Sequence, residues 1–300
     1  MKITVEIGNS KQRKDIVDEL GIIGEAAKHA TMAFRIQEVI VPQDFDAKVN
    51  ELQGTNDFRS IPGAEPVARS IFHEKGYYLL FHPNLFTKHY DNQVRFSIYW
   101  HEFTLIVNKG RFPVLTRHKL DRYANYFMNL YQLFDQYDAA RKSFEFRDAI
   151  VKNVLQSELS DTARTDLETS LMGNLALINN KPEYYDWIKF QQQEFATHKN
   201  VSQFLAQIQG KISQLSFSII FAYATMDHYE YLREKEQLIS EAPMLDNNTR
   251  VLLEYFRLKY EEGSPDLSDG VDIMEAFWAN FGIRFVDGSH SLQCEVVPLG

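Results

Sequence analysis

The sequence predicts an α+β fold, in which a first domain with a small mixed sheet precedes a mainly helical second domain. Segments typical of β-strands occur before residue 113 and again near residue 290. Between them lie long stretches without glycine or proline, such as residues 114–172, which favour helices. Because 300 residues are more than one core usually spans, we predict domains at 1–150 and 151–300.

The strands of the first domain are predicted from alternation and from turn residues. Residues 2–7 alternate apolar and polar side chains, and residues 36–41 form a β-rich run that ends before a proline. Residues 67–72 and 77–81 flank a glycine-bearing turn and are predicted to pair as a hairpin. A helix is expected between the first two strands, from about residue 11 to residue 34.

The clearest helix is predicted from Asn92 to Lys109. This stretch has neither glycine nor proline, Asp91 or Asn92 can cap its start, and Gly110 stands where a glycine often ends a helix. Two faces result from steps of 100° per residue: Val94, Ile98, His101, Leu105 and Asn108 on one, and Phe96, Tyr99, Phe103 and Ile106 on the other. A helix that is apolar on both sides is usually buried.

Helices are expected to dominate the remaining chain up to about residue 281, with a polar break near residues 157–161. Two short β-rich segments, residues 283–286 and 292–297, flank Asp287-Gly288 and are predicted to form a closing hairpin.

Composition narrows the classes of partner. Residues 1–150 carry a net charge of +1 and residues 151–300 a net charge of −10, which argues against nucleic acid as a partner. No apolar stretch approaches the ~20 residues of a membrane span, so we expect no membrane association. We expect a cytoplasmic protein, because residues 1–6 lack the features of a signal peptide. Cys294 is the only cysteine, so any metal site must use His, Asp and Glu.

The segment from Trp100 to Leu105 carries the one motif that suggests chemistry. A zinc peptidase needs two histidines one helical turn apart, with a glutamate after the first as general base for the attacking water. His101 and Glu102 supply two of these three groups, and Leu105 stands where the second histidine would be.

In its context of mixed α/β segments followed by helices, this helix resembles the active-site helix of the zincins, specifically of gluzincin-like metallopeptidases. The resemblance covers about residues 36–150. It implies a zincin-like domain with zinc as its cofactor, His101 as a ligand and Glu102 as the general base. It also implies a third ligand, a glutamate, on a following helix. Gln136 stands at that position, in the run Gln136-Tyr137-Asp138-Ala139, where Tyr137 and Ala139 match the family pattern.

The predicted zinc site is therefore degenerate at Leu105 and Gln136. Asn129 and Gln132 share the helix face of Gln136, and no carboxylate on that face can replace the lost ligand. We expect tight zinc binding to be absent, and we expect Asn129, Gln132 and Gln136 to form a hydrogen-bonded network facing His101. Tyr137 joins Asn129 and Gln132 as a predicted binding residue.

Three functions remain open at this point. The first is a metallopeptidase-like protein with a degenerate site that binds a peptide or protein, with strand addition along the hairpin edge as one mode. The second is an active zinc peptidase with a non-standard ligand set, and the third is a helical interaction protein without a metal site. His73, His82 and His89 match no ligand spacing and are predicted to be exposed loop residues. The oligomeric state is left open.

Overall fold

The chain forms two compact units. A computed structural model describes residues 2–29, 36–60, 66–73, 76–87, 90–111, 121–179, 181–238, 247–263, 266–288 and 292–296. The first unit contains Met1–Arg111 and Lys142–Arg164, and the second contains Phe112–Arg141 and Thr165–Gly300. Because the chain enters each unit twice, the units do not follow the predicted division into residues 1–150 and 151–300.

A four-stranded mixed sheet organises the first unit. Its strands are β1 (Lys2–Val5), β2 (Ile36–Val41), β3 (Ala68–His73) and β4 (Gly76–Phe81), in the spatial order β1-β2-β4-β3. β1, β2 and β4 are parallel, whereas β3 pairs antiparallel with β4. The four predicted strands and the predicted hairpin are thus confirmed.

Both faces of this sheet are apolar. Successive side chains of a strand point to opposite faces, and consecutive apolar residues of β2 and β4 therefore enter two different cores. On one face, side chains of β2 and β4 pack into a large core with the helices Ser10–His29 and Asn92–Arg111. Val39, Val41, Leu79 and Phe81 are fully buried there. On the other face a smaller core contains Ile40, Phe45, Val49, Ile71 and Leu80.

The helices of the first unit are α1 (Ser10–His29), α2 (Phe45–Gln53), α3 (Asn84–Thr87), α4 (Asn92–Arg111) and the last turns of α5 (Arg122–Asn153). The predicted helix of residues 11–34 matches α1 as far as His29, and its remainder lies outside the described residues. α2 is capped at its start by Asp44, whose side chain accepts from the Ala47 N–H at 2.9 Å, and ends at Gly54 with φ 67°.

α4 begins as predicted but ends later. The Asp91 side chain accepts from the Gln93 N–H at 2.7 Å, which confirms the predicted capping role. The predicted stop at Gly110 is wrong, because the helix continues through Arg111. A glycine inside a helix costs only about 1 kcal/mol, so it weakens the helix without ending it.

A partly buried hydrogen-bonded group joins α4 to α1. The Glu19 carboxylate accepts from Arg95 at 2.6 and 2.8 Å and from the Tyr99 hydroxyl at 2.7 Å. Burial raises the pKa of Tyr99 well above its ordinary value, and the Glu19 carboxylate raises it further, so the hydroxyl remains a donor. These contacts therefore join α4 to α1 within the first unit.

The second unit is mainly helical, as predicted. It contains the first part of α5, most of α6 (Asp161–Asn179), and α7 (Lys181–His198), α8 (Val201–His228), α9 (Asn247–Glu262) and α10 (Val271–Ala279), with two 3₁₀ helices at Glu230–Leu238 and Ser268–Gly270. The predicted closing hairpin is confirmed as β5 (Ile283–Asp287) and β6 (Leu292–Val296), which pair antiparallel. None of the described helices combines the length and apolar character that crossing a membrane requires.

Candidate functional site

His101 and Glu102 lie in the middle of α4, in the first unit. The face of α4 that carries Phe96, Tyr99, Phe103 and Ile106 is buried in the large core against the sheet. The side chain of His101 is 13% exposed and that of Glu102 is 18% exposed, with His101 Nδ1 3.5 Å from Glu102 Oε1. The two groups are therefore neighbours that are largely withdrawn from solvent.

The ring of Trp100 holds this part of α4 against the last turns of α5. It stacks on Phe146 with ring centroids 3.7 Å apart and an angle of 2° between the planes. Both residues belong to the first unit, and Ile150 of α5 joins the same core. This stacking has a structural role, since neither ring carries a reactive group.

The donor atoms on α4 do not fit a zinc site. Leu105, one helical turn after His101, is half-buried and has no donor atom. A carboxylate oxygen of the adjacent Glu102 lies 3.5 Å from His101 Nδ1. Within the parts of the chain that the structure describes, no group of three or more His, Cys, Asp or Glu side chains is arranged to hold a metal ion.

The residues predicted to face His101 belong to the second unit. Gln132 is exposed and Gln136 is half-buried on α5, while the Asn129 amide donates to the Asn125 carbonyl oxygen of its own helix at 2.7 Å. The prediction of a network between these side chains and His101 therefore spans two units and stays a prediction.

Tyr137, a predicted binding residue, is fully buried in the second unit. Its hydroxyl donates to Asp227 Oδ2 at 2.7 Å and accepts from Arg141 Nη1 at 3.2 Å. Burial raises the pKa of Tyr137 and the Asp227 carboxylate raises it further, so the hydroxyl stays protonated. Asp227 also pairs with Arg257, with N–O distances of 2.8 to 3.0 Å.

This network joins three helices, because Tyr137 lies on α5, Asp227 on α8 and Arg257 on α9. The sequence suggested a role for Tyr137 but not its partners, which are distant along the chain and match no local motif. Its position and satisfied hydrogen bonds indicate a stabilising role inside the second unit.

The three remaining histidines of interest do not form a cluster among the described residues. His73 is exposed at the end of β3, and His89 lies outside the described residues. His82 follows β4; its Nδ1 accepts from the Asn84 N–H at 3.1 Å and its ring lies 5.0 Å from that of Phe45. His82 is therefore half-buried and packed, unlike the exposed residue that was predicted.

A polar cleft of about 820 Å³ lies where the parallel strands β1, β2 and β4 end. Its carboxylates already have partners: Glu6 accepts from the Gln43 N–H at 3.2 Å, and Asp46 accepts from the Ser60 N–H at 2.8 Å and hydroxyl at 2.5 Å. Burial alone would raise the pKa of Asp46, but the bonds from Ser60 outweigh it and lower the pKa. These contacts hold the loops after the strands together.

β3 is one of the two edge strands of the sheet, with β1 at the other edge. The His82 N–H donates to the Val67 carbonyl oxygen at 2.9 Å, so this antiparallel pair is a hydrogen-bonded one. Hydrogen-bonded and non-hydrogen-bonded pairs alternate along such a ladder. The N–H and C=O groups of Ala68, Ser70 and Phe72 therefore point away from β4, and no other described strand pairs with β3.

Apolar side chains accompany this open edge. Phe72 is 62% exposed and Val67 is 43% exposed, which is unusual beside unpaired backbone groups because such edges invite strand pairing. A cleft of about 810 Å³ runs along the face of β3 that carries Arg69 and Ile71, with Phe58 on its other wall. The edge thus offers both backbone partners and side-chain contacts.

Comparisons of the chain with family models, with curated proteins and with solved structures found no match.

Proposed function

We propose that the first unit binds an extended peptide segment, which adds to the sheet as a fifth strand beside β3, and that the His101-Glu102 pair performs no zinc-dependent hydrolysis. The open row of backbone groups at Ala68, Ser70 and Phe72 carries this proposal. Strand addition gains affinity from main-chain hydrogen bonds and specificity from the side chains beside them.

The element order supports a metallopeptidase-like origin for this arrangement. A mixed sheet with an antiparallel edge strand packs on α4, and α4 carries His101-Glu102, as the resemblance to zincins implies. Leu105 removes the second ligand, which favours a protein that keeps the peptide-binding edge and has lost the metal. As part of the same proposal we place the protein in the cytoplasm. A chain with one cysteine has no disulfide within itself, and such disulfides are rare in cytosolic proteins.

An extended peptide fits this edge better than a helix does. Each outward residue of β3 offers one N–H and one C=O in the plane of the sheet, and only another extended backbone can pair with all of them. Each bond contributes about 0.5–1.5 kcal/mol, so the row gives moderate affinity that side-chain contacts must supplement. Phe72 and the cleft beside Arg69 supply such contacts.

The proposal can be tested with peptides selected from a random library displayed on phage. We expect selected peptides to bind the wild-type protein and to lose about tenfold in affinity for Ser70→Pro, because proline removes an outward N–H and its ring obstructs the incoming strand. Ser70→Ala is the matched control: it removes the hydroxyl but keeps the N–H, so we expect affinity close to that of wild type.

Proline is tolerated on edge strands whose N–H faces outward, so Ser70→Pro is expected to fold, which circular dichroism and urea unfolding can check. Equal binding of selected peptides to Ser70→Pro and Ser70→Ala would contradict strand addition at β3. Failure to select any peptide that depends on β3 would contradict it as well.

A further inference from the structure

We infer that the peptide bound at β3 is acidic, with two adjacent carboxylate side chains and an apolar side chain two positions before the first of them. This inference rests on the proposed function, since it assigns the chemistry of the segment that β3 would accept. Its basis is the charge on the two faces of the sheet at this edge.

One positive group lies on each face beside Ser70. On the face of α2, the Arg69 guanidinium lies over the Phe58 ring, 4.3 Å from its centroid. On the face of α4, Lys109 Nζ donates to the Ser70 hydroxyl at 2.9 Å and lies 5.5 Å from the centroid of Tyr77. The aromatic rings and the hydroxyl that contact these cations carry no negative charge and so do not neutralise them.

Neither cation is compensated by an ion pair within the described residues. The ion pairs of the first unit involve other cations, for example Lys48 with Glu51 and Arg95 with Glu19. Asp57 lines the same cleft as Arg69 without an ion pair to it. Positive charge at the open edge therefore favours a partner that brings negative charge.

The pleat of the sheet sets the order of the peptide residues. In an added antiparallel strand, the residue opposite Ser70 points to the same face as Ser70, toward Lys109, and the following residue lies opposite Arg69 on the other face. The residue two positions earlier lies opposite Phe72, whose exposed ring favours an apolar partner. From its N-terminal end, the segment then reads apolar, any residue, acidic, acidic.

The antiparallel direction is the more favourable one, because antiparallel pairs are slightly more stable per residue than parallel ones. A peptide is also a better occupant than a phosphate-bearing polymer. The outward amide and carbonyl groups of β3 require donors and acceptors in alternation, which an amide backbone provides and a phosphate chain does not.

Three end-blocked ten-residue peptides test this inference. Each consists of threonine and valine with one phenylalanine, followed after one residue by two glutamates, two glutamines or two lysines. At low ionic strength we expect the glutamate peptide to bind the wild-type protein about fivefold more tightly than the glutamine peptide, as two exposed ion pairs allow. This advantage should shrink as salt is added.

Charge reversal distinguishes a direct ion pair from a structural effect. We expect Arg69→Glu, and independently Lys109→Glu, to remove the preference for glutamate and to improve binding of the lysine peptide. Lys14→Glu is the matched control, since Lys14 is exposed on α1 and the change alters the net charge equally. It should leave the order of affinities unchanged.

The outcomes separate the two proposals. If the glutamate and glutamine peptides bind equally, and both bind Ser70→Pro more weakly than Ser70→Ala, the acidic preference is wrong and strand addition stands. If the glutamate peptide binds Ser70→Pro as tightly as it binds the wild-type protein, both proposals are overturned. They are also overturned if the free wild-type protein is a dimer and Ser70→Pro abolishes it, because a second copy of the chain then occupies this edge. Absence of binding by all three peptides would also contradict the inference.

Discussion

His101 and Leu105 lie one helical turn apart on α4, the spacing at which a zincin helix carries its two histidines. Two imidazoles at this spacing can bind one ion, whereas a leucine contributes no donor. Glu102 stands at the position of the general base of a zincin, and its Oε1 lies 3.5 Å from His101 Nδ1. Within this helix, Leu105 is thus the position that departs from the zincin motif.

We predict that Leu105→His increases the affinity of the protein for zinc by at least about tenfold, because it supplies the missing second imidazole on the same helix face. Isothermal titration with zinc chloride on metal-free protein measures this directly. The double variant His101→Ala, Leu105→His is the control and should return to the wild-type affinity. Tight stoichiometric zinc binding by the wild-type protein would contradict the degenerate interpretation.

For single residues, the sequence identified side chains that match a motif but not the side chains to which they are hydrogen-bonded. Tyr137 was singled out because it matches a family pattern, yet its hydroxyl donates to Asp227, 90 residues further along the chain. The pairing of Glu19 with Arg95 and Tyr99 was missed for the same reason. Such contacts depend on how elements pack, which local patterns do not encode.

Helices α5, α8 and α9 meet at the buried Asp227 carboxylate, which is 6% exposed and accepts from residues on the other two helices. A buried carboxylate is costly unless it is paired and hydrogen-bonded. Tyr137 and Arg257 meet that requirement here, so this group stabilises the second unit as long as it is complete.

Removing Asp227 is therefore expected to destabilise the second unit. We predict that Asp227→Ala lowers the free energy of unfolding by about 3 kcal/mol, because Arg257 and the Tyr137 hydroxyl lose their buried partner. Urea unfolding at neutral pH gives this value. Glu254→Gln is the control, since Glu254 pairs with the same Arg257 but is 69% exposed, and its loss should cost less than about 1 kcal/mol. An equal loss of unfolding free energy in the two variants would contradict the stabilising role of the buried Asp227 carboxylate.

Elements were predicted better than their arrangement. Alternating apolar and polar residues, together with the turn residues that bound each segment, located all six strands, because these signals are local. Gly110 was misplaced as a helix end, because α4 continues to Arg111 and one glycine costs a helix only about 1 kcal/mol. The spatial order β1-β2-β4-β3 could not be derived, since strand pairing across the chain leaves no local signal. Strand addition at the hairpin was suggested, and this order places β3, the first strand of the hairpin, at one of the two edges of the sheet.

At the scale of the molecule, the two units alternate along the chain. α5 is one continuous helix, yet its residues up to Arg141 belong to the second unit and those from Lys142 onward to the first. A boundary inside a helix leaves no change in composition, glycine or proline for a sequence pattern to detect. The sheet, α4 and the edge strand nevertheless all lie within the first unit, so the proposed binding surface is local to it.

We propose that β3 is an open edge that accepts a peptide strand. Amide hydrogen exchange, followed residue by residue by NMR, tests it most directly. In the free protein we expect fast exchange at Ala68, Ser70 and Phe72 and slow exchange at Arg69 and Ile71, which bond to β4. Adding a selected peptide should slow the first three amides and leave the other two unchanged. Slow exchange at Ser70 and Phe72 in the free protein, or no change when peptide binds, would contradict the claim.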